Sequence, residues 1–269
     1  MNHKIIGGGI ALVSVGILTF FLHDTTASTT NEEVGDARFS ETEQGFEEVI
    51  GETVVSDGWY QNIDIRTATS LPPISEPRVD GRIQWATYWQ PMTAIEQAVY
   101  GDPIGPFEPK RVGIQVGHWQ RDSLPEELAG LADNTGAVVD GVMEEDVMYE
   151  IAVRVKALLE AQGIVVDILP VTIPVDYQAS AFVSLHADGS RDTSISGFKI
   201  AAPRTDFSGR SIALKQALDS SYARATNLPE DTAITRRMTG YYAFNWRRYD
   251  HAVHPQTPAV IVETGFFNT

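Results

Sequence analysis

Cysteine is absent from the 269 residues, which excludes disulfide staples and thiolate metal ligands together. Any transition-metal site must therefore be built from His, Asp or Glu. Positive charge is also scarce: 20 Lys and Arg stand against 36 Asp and Glu, for a formal net charge of −16. That balance argues against nucleic acid or an anionic membrane surface as the main partner, and suits a small or neutral substrate. Charge is missing altogether from Ile5 to Leu22, behind the single Lys4. The run is long for a cleaved signal, and Thr25-Thr26-Ala27 is a poor cleavage site, so a retained membrane anchor fits slightly better than a signal peptide. Residues 1–23 are expected to be one or the other, and Lys4 on the short side places the remainder outside.

Apolar residues are sparse in the next segment. Residues 24–57 are rich in Thr, Ser, Glu and Asp and cannot bury enough surface to offset their ordering entropy, so an acidic disordered stalk is expected. Residues 58–109 combine Trp59, Tyr60, Trp85, Tyr88 and Trp89 with seven prolines at 72, 73, 77, 91, 103, 106 and 109. Aromatics would be wasted in a free linker, while the prolines break long elements. The expectation is an extended arm packed on the domain, with a carbohydrate-stacking surface as the alternative.

The compact domain is expected over 110–269. Arg111 to Val116, Ile164 to Leu169, Ala181 to Leu185 and Ala259 to Glu263 are short apolar runs that read as strands, with Gly197 to Ala202 as a further candidate. Val147, Ile151, Val155, Leu158 and Leu159 follow a 3,4 spacing behind Glu144-Glu145-Asp146, which predicts a helix from Glu144 to Gly163. A second helix is expected over 208–226. This alternation predicts an α/β fold, a mostly parallel twisted sheet with helices on both faces.

Three of the strands deliver a chemically capable side chain at one end: His118, His186 and Glu263. Glu144 opens the predicted helix and can point back toward those ends. Two imidazoles and a carboxylate are a known catalytic zinc set, and the spacing is far too wide for a finger-type structural site. Each residue has a plainer reading. A strand-end histidine usually bonds a loop, and a first-turn acid usually serves the helix dipole. Glu263 is harder to dismiss, because a carboxylate closing an apolar strand must be exposed or paired. His251 and His254 are rivals, but Pro255 and Pro258 argue against a metal-binding helix there, and surface or loop packing is expected. Arg236-Arg237 and Arg247-Arg248 are expected to be solvated, or else to contact a peptide carboxylate.

Val112-Gly113-Ile114-Gln115-Val116-Gly117-His118, Gly136-Ala137, Glu144-Glu145-Asp146-Val147, Phe182-Val183-Ser184-Leu185-His186-Ala187-Asp188-Gly189 and Pro258 to Phe266 occur in that order. Together they resemble the zinc-dependent N-acetylmuramoyl-L-alanine amidases of type 3. The resemblance implies that His118, Glu144 and His186 bind zinc, with Glu145 as the fallback for Glu144, and that Glu263 is the catalytic carboxylate. It implies an enzyme acting on peptidoglycan; with the N-terminal segment and the acidic balance, the expectation is an extracytoplasmic monomer with no nucleic-acid partner and membrane contact only through that segment. Trp119-Gln120 departs from the glycines usual after the first histidine, and the family's arginine motif is not recognisable near Pro170 to Pro174. The chain stops after its last strand, where the family continues into a closing helix, so a C-terminal truncation is expected. Two rival readings keep the fold: a catalytically silent peptidoglycan-binding or regulatory module, which would not need Glu263, and a zinc peptidase.

Overall fold

The computed structural model describes residues 16, 17, 19–21 and 91–268. The expected stalk over 24–57, most of the aromatic arm and the rest of the N-terminal segment lie outside the described residues. The elements are α1 (Ala94–Tyr100), β1 (Arg111–Val116), β2 (Val138–Val139), β3 (Val142–Met143), α2 (Glu144–Glu160), β4 (Val165–Leu169), β5 (Ala181–Ser190), β6 (Lys199–Ala201), α3 (Ser211–Thr226), α4 (Arg236–Thr239) and β7 (Ala259–Asn268). Short 3-10 turns cover Glu126–Leu131 and Tyr242–Phe244.

The main sheet runs β4-β1-β5-β7-β6. Its first four strands are mutually parallel and β6 is an antiparallel edge. Alternation along each strand divides the core. Val112, Ile114 and Val116 of β1, Val183 and Leu185 of β5, and Val260 and Val262 of β7 share a cluster with Met148, Ile151, Val155 and Leu159 of α2 and Leu214, Leu218 and Tyr222 of α3. Each such fully buried side chain stabilises by roughly 2 kcal/mol. Phe182, Ala259 and Ile261 point to the other face, beneath Leu128, Met238, Tyr242, Phe244, Trp246 and Val253. Helical structure thus covers both faces, but unevenly: both long helices lie on one, single turns on the other. The segment between β4 and β5 carries Pro170 and Pro174, which exclude a long helix there.

The arm departs from expectation where it is described. Thr93 caps α1 through its hydroxyl while Glu96 returns a bond to the Thr93 N–H, a reciprocal capping box. The Glu96 carboxylate also accepts from Arg247 Nε at 2.8 Å and Nη2 at 2.9 Å. Arg247 is 4% exposed, with its guanidinium over the Trp246 and Phe207 rings, so it is a buried anchor for α1 and not the solvated charge expected from sequence. Gly16, Ile17 and Thr19 to Phe21 are helical, and Ile17, Phe20 and Phe21 join the core cluster that contains α2 and α3. Gly16 approaches so closely that a Cβ there would lie 2.6 Å from Leu218 Cδ2. Among the described residues, no helix is long and apolar enough to cross a membrane.

His251 and His254 pack in loops. The Glu127 carboxylate lies 2.7 Å from His251 Nδ1 and accepts from the backbone N–H groups of Asp250 and His251. His254 is 3% exposed, edge-on to Tyr100, and burial pushes its imidazole down to about 4. The unfolded chain binds this proton at ordinary histidine pH, so the stabilisation is complete above about pH 6.5 and is lost as pH falls toward 4, by roughly 3 kcal/mol. Urea unfolding of wild type and His254→Gln at pH 7 and pH 4 checks this: the variant should lose less stability on acidification.

Candidate active site

β1 ends against β5, where the Gly117 N–H donates to Leu185 O at 3.0 Å. The closeness requires glycine: a Cβ at Gly117 would lie 2.3 Å from His186 Cε1. His118 follows at φ 64 and Gln120 at φ 57, both left-handed. Gln120 therefore carries a conformation that costs an L-residue about 1–2 kcal/mol, at one of the positions where glycines were expected. Trp119 turns away from the site to stack obliquely on Tyr149 of α2, with ring centroids 4.7 Å apart.

Glu144 is the first residue of α2, and its carboxylate is held by two backbone donors. Oε2 accepts from Ala137 N at 2.8 Å and Oε1 from Ala187 N at 3.1 Å. Gly136, at φ 72, leaves the room, since a Cβ there would lie 2.8 Å from Glu144 Oε2. Glu144 Oε1 lies 3.2 Å from His186 Nδ1 and 3.4 Å from His118 Nε2. The two imidazole rings stand nearly perpendicular, with centroids 4.9 Å apart. One donor atom from each of His118, Glu144 and His186 falls within 4.8 Å of the others, a group able to hold a metal ion. Glu145 faces elsewhere, toward Arg121 at 3.7 Å.

Burial pushes the His118 imidazole down, helped by the neighbouring His186 charge. Burial also acts to raise Glu144, but the hydrogen bond and charge of His186, the His118 charge and the Ala137 N–H outweigh it and hold the carboxylate below its ordinary value. His118 is therefore biased toward neutral imidazole and Glu144 toward the anion, the forms that bind a divalent ion. At His186 burial is outweighed by the Glu144 hydrogen bond and the charges of Glu263, Glu144 and Asp188, which raise its imidazole, so an ion binding there would have to displace a proton. Two imidazoles and one carboxylate suit a borderline transition metal, and the set leaves a coordination position open.

Glu263 pairs with His186 across the β5–β7 register, and Lys199 of β6 pairs with Glu263 from the other side. Three ionisable side chains thus lie in one row across one face of the sheet. The register shifts between His186 and Asp188, a bulge of the kind that often re-aims side chains beside active sites. Thr264 lies in that irregularity and pins it: its hydroxyl donates to His186 O at 3.0 Å, while Tyr222 donates to Thr264 O at 2.6 Å. Lys199 pairs with Asp188 and, at 3.2 Å, with Asp231. Burial pushes the Glu263 carboxyl up to about 7, partly opposed by the His186 charge.

Sequence reasoning missed Lys199, Gln115 and Tyr241, which surround these groups. Gln115 and Lys199 could have been singled out as polar residues inside apolar strands. Tyr241 sits in an irregular segment and carries no such signal.

Replacement of Gly117 by alanine drives a methyl group into the His186 ring, and backbone or ring must move to admit it. The expected result is a loss of metal affinity of at least about tenfold without loss of secondary structure, comparable to disturbing a ligand's supporting contacts. Chelator competition together with circular dichroism measures both.

Among solved structures, the catalytic domain of CwlV, an N-acetylmuramoyl-L-alanine amidase from Bacillus (Paenibacillus) polymyxa var. colistinus, is similar at 20% identity and a TM-score of 0.39, covering 58% of this chain and 80% of that one. The CwlD amidase from Clostridioides difficile, solved with the GerS lipoprotein, is similar at 15% identity and a TM-score of 0.36, covering 58% and 82%. No curated protein matches significantly. The family model for N-acetylmuramoyl-L-alanine amidase matches residues 112–269, a span that takes in the strand-end histidines, the helix-opening glutamate and Glu263, and the chain belongs to that family.

Proposed function

We propose that this amidase is zinc-dependent, with His118, Glu144 and His186 as ligands and Glu263 as the proton-transferring carboxylate. We propose further that it cuts the amide between the lactyl group of N-acetylmuramic acid and L-alanine of the peptidoglycan stem. The observation that carries the reading is the meeting of those three donors within 4.8 Å, with Glu263 next to His186 across the sheet. A bound zinc ion would supply Lewis-acid polarisation of the scissile carbonyl and a lowered pKa for water.

The protein's own groups supply the rest. Glu263, raised toward neutrality by burial, can take the proton of the attacking water and hand it to the departing nitrogen. The new bond joins the water oxygen to the lactyl carbonyl carbon, the carbon–nitrogen bond breaks, and L-alanine leaves as a free amine. Lys199, held by Asp188 and Asp231, opposes the neighbouring negative charge and helps keep Glu263 ionisable near neutral pH.

The substrate lies outside the cytoplasmic membrane, so we place the catalytic domain there too, acting as a monomer and exported by residues 1–23 as signal peptide or anchor, a role in which Ile17, Phe20 and Phe21 would have to leave their packing against α2 and α3. We keep 24–57 as an acidic stalk, 58–109 as an arm that contains α1, and 110–269 as the catalytic domain. Product analysis on purified sacculi tests the function. An amidase releases peptides with a new L-alanine amine and leaves intact glycan strands. Cleavage within the stem would favour a peptidase, and no release a silent binding module.

A further inference from the structure

The helical residues 16, 17 and 19–21 present one apolar stripe. Phe20 and Phe21 follow Ile17 by three and four residues, the spacing of a single helical face. The three side chains are 0%, 3% and 7% exposed, in the cluster that holds Val155 and Leu159 of α2 and Leu214, Leu218 and Tyr222 of α3. Gly16 sits where the stripe meets α3. A Cβ on it would lie 2.6 Å from Leu218 Cδ2 and 2.9 Å from Leu218 Cα, and the second of these is a backbone atom that cannot swing aside. Glycine weakens a helix, and at this crossing it is what lets the two backbones approach. Phe21 closes the stripe, with Lys110 Nζ 5.6 Å from its ring centroid. Lys110 precedes β1 and His118 follows it, and the strand between them spans roughly 20 Å, so the Phe21 end lies far from the metal position.

We propose that the face presented by α2 and α3 is a docking surface for this chain's own N-terminal apolar helix, and that docking there and insertion into a bilayer exclude one another. Ile17, Phe20 and Phe21 cannot be buried against the domain and face lipid at once. The run from Ile5 to Leu22 carries no charge and has about the length a bilayer core requires, so both destinations are open to it. Release from the domain returns apolar surface around Leu218 to water, a cost that holds the helix in place until lipid offers the same burial. The segment is then a removable cover of the core. The proposal adds a second resting place to the export role of residues 1–23, and it is independent of the zinc reading because it uses none of the residues assigned to hydrolysis.

The full chain in detergent-free buffer tests the docking. Gly16→Leu keeps the run apolar but cannot approach Leu218, and Gly9→Leu makes the same chemical change earlier in the run. Gly16→Leu should lower the urea midpoint by about 1 M or more, the scale for losing several buried apolar side chains, while Gly9→Leu stays at the wild-type value. Ile17→Ser attacks the same contact without added bulk and should also fall. Equal midpoints for wild type, Gly16→Leu and Ile17→Ser overturn the docking. A wild-type midpoint that rises with protein concentration places the helix on a second copy and overturns it as well. Flotation with neutral phosphatidylcholine vesicles reads the exclusion: with the competing state removed, Gly16→Leu should partition into lipid about tenfold more strongly than Gly9→Leu. Equal partitioning of these two variants, which gain the same side chain, overturns the exclusion.

Discussion

Glu263→Gln should retain the metal at wild-type affinity and lose about 10²- to 10⁴-fold in kcat, the range for removing a positioned proton-transfer group. The amide is nearly isosteric and keeps the β7 backbone bonds, so folding should be unaffected. The wild-type pH profile carries the same information. Glu263 works as a base only when ionised, and burial lifts its carboxyl to about 7 in the metal-free protein. Turnover should therefore fall about tenfold per unit on the acid side of that ionisation. A divalent ion nearby moves the limb to lower pH, because positive charge favours the carboxylate. In Glu263→Gln this limb should disappear from the residual rate.

Glu144→Ala should be damaging in two separable ways. It removes one of the three converging donors, so metal binding should be abolished at micromolar zinc. It also leaves the Ala137 and Ala187 N–H groups without their carboxylate, at about 1–3 kcal/mol each where water does not replace it. The loss should appear as a lower urea midpoint in the metal-free protein. Glu145→Ala is the matched control: its side chain faces Arg121, and the variant should keep metal affinity and nearly all stability.

Much of this site is legible along the chain because strand ends and helix starts are local features. An apolar run ending in Gly-His places a histidine at the carboxyl edge of a sheet, and an acidic triplet before a 3,4 pattern places Glu144 in a first turn. Gly117 and Gly136 are readable in hindsight as points of close approach to His186, His118 and Glu144. The rest depends on contacts between distant segments. Arg247 reads as a surface charge until α1 brings Glu96 to it across more than half the chain. Tyr241 has no periodicity to mark it and acquires its neighbours only when the segment after α4 folds over the sheet. The uneven placement of long helices follows from β1, which sends Val112, Ile114 and Val116 to one face and Gly113 and Gln115 to the other, and from Pro170 and Pro174, which exclude a long helix between β4 and β5.

If His118, Glu144 and His186 form one metal site on which hydrolysis depends, metal and activity must be lost together. Metal content of purified wild type and His186→Ala, measured beside release of free amine from sacculi, tests this most directly. The expected result is about one zinc per wild-type chain, little in the variant, and a matching loss of amine release, following the three-ligand arithmetic of catalytic zinc. Wild-type metal content and undiminished amine release in His186→Ala would contradict it.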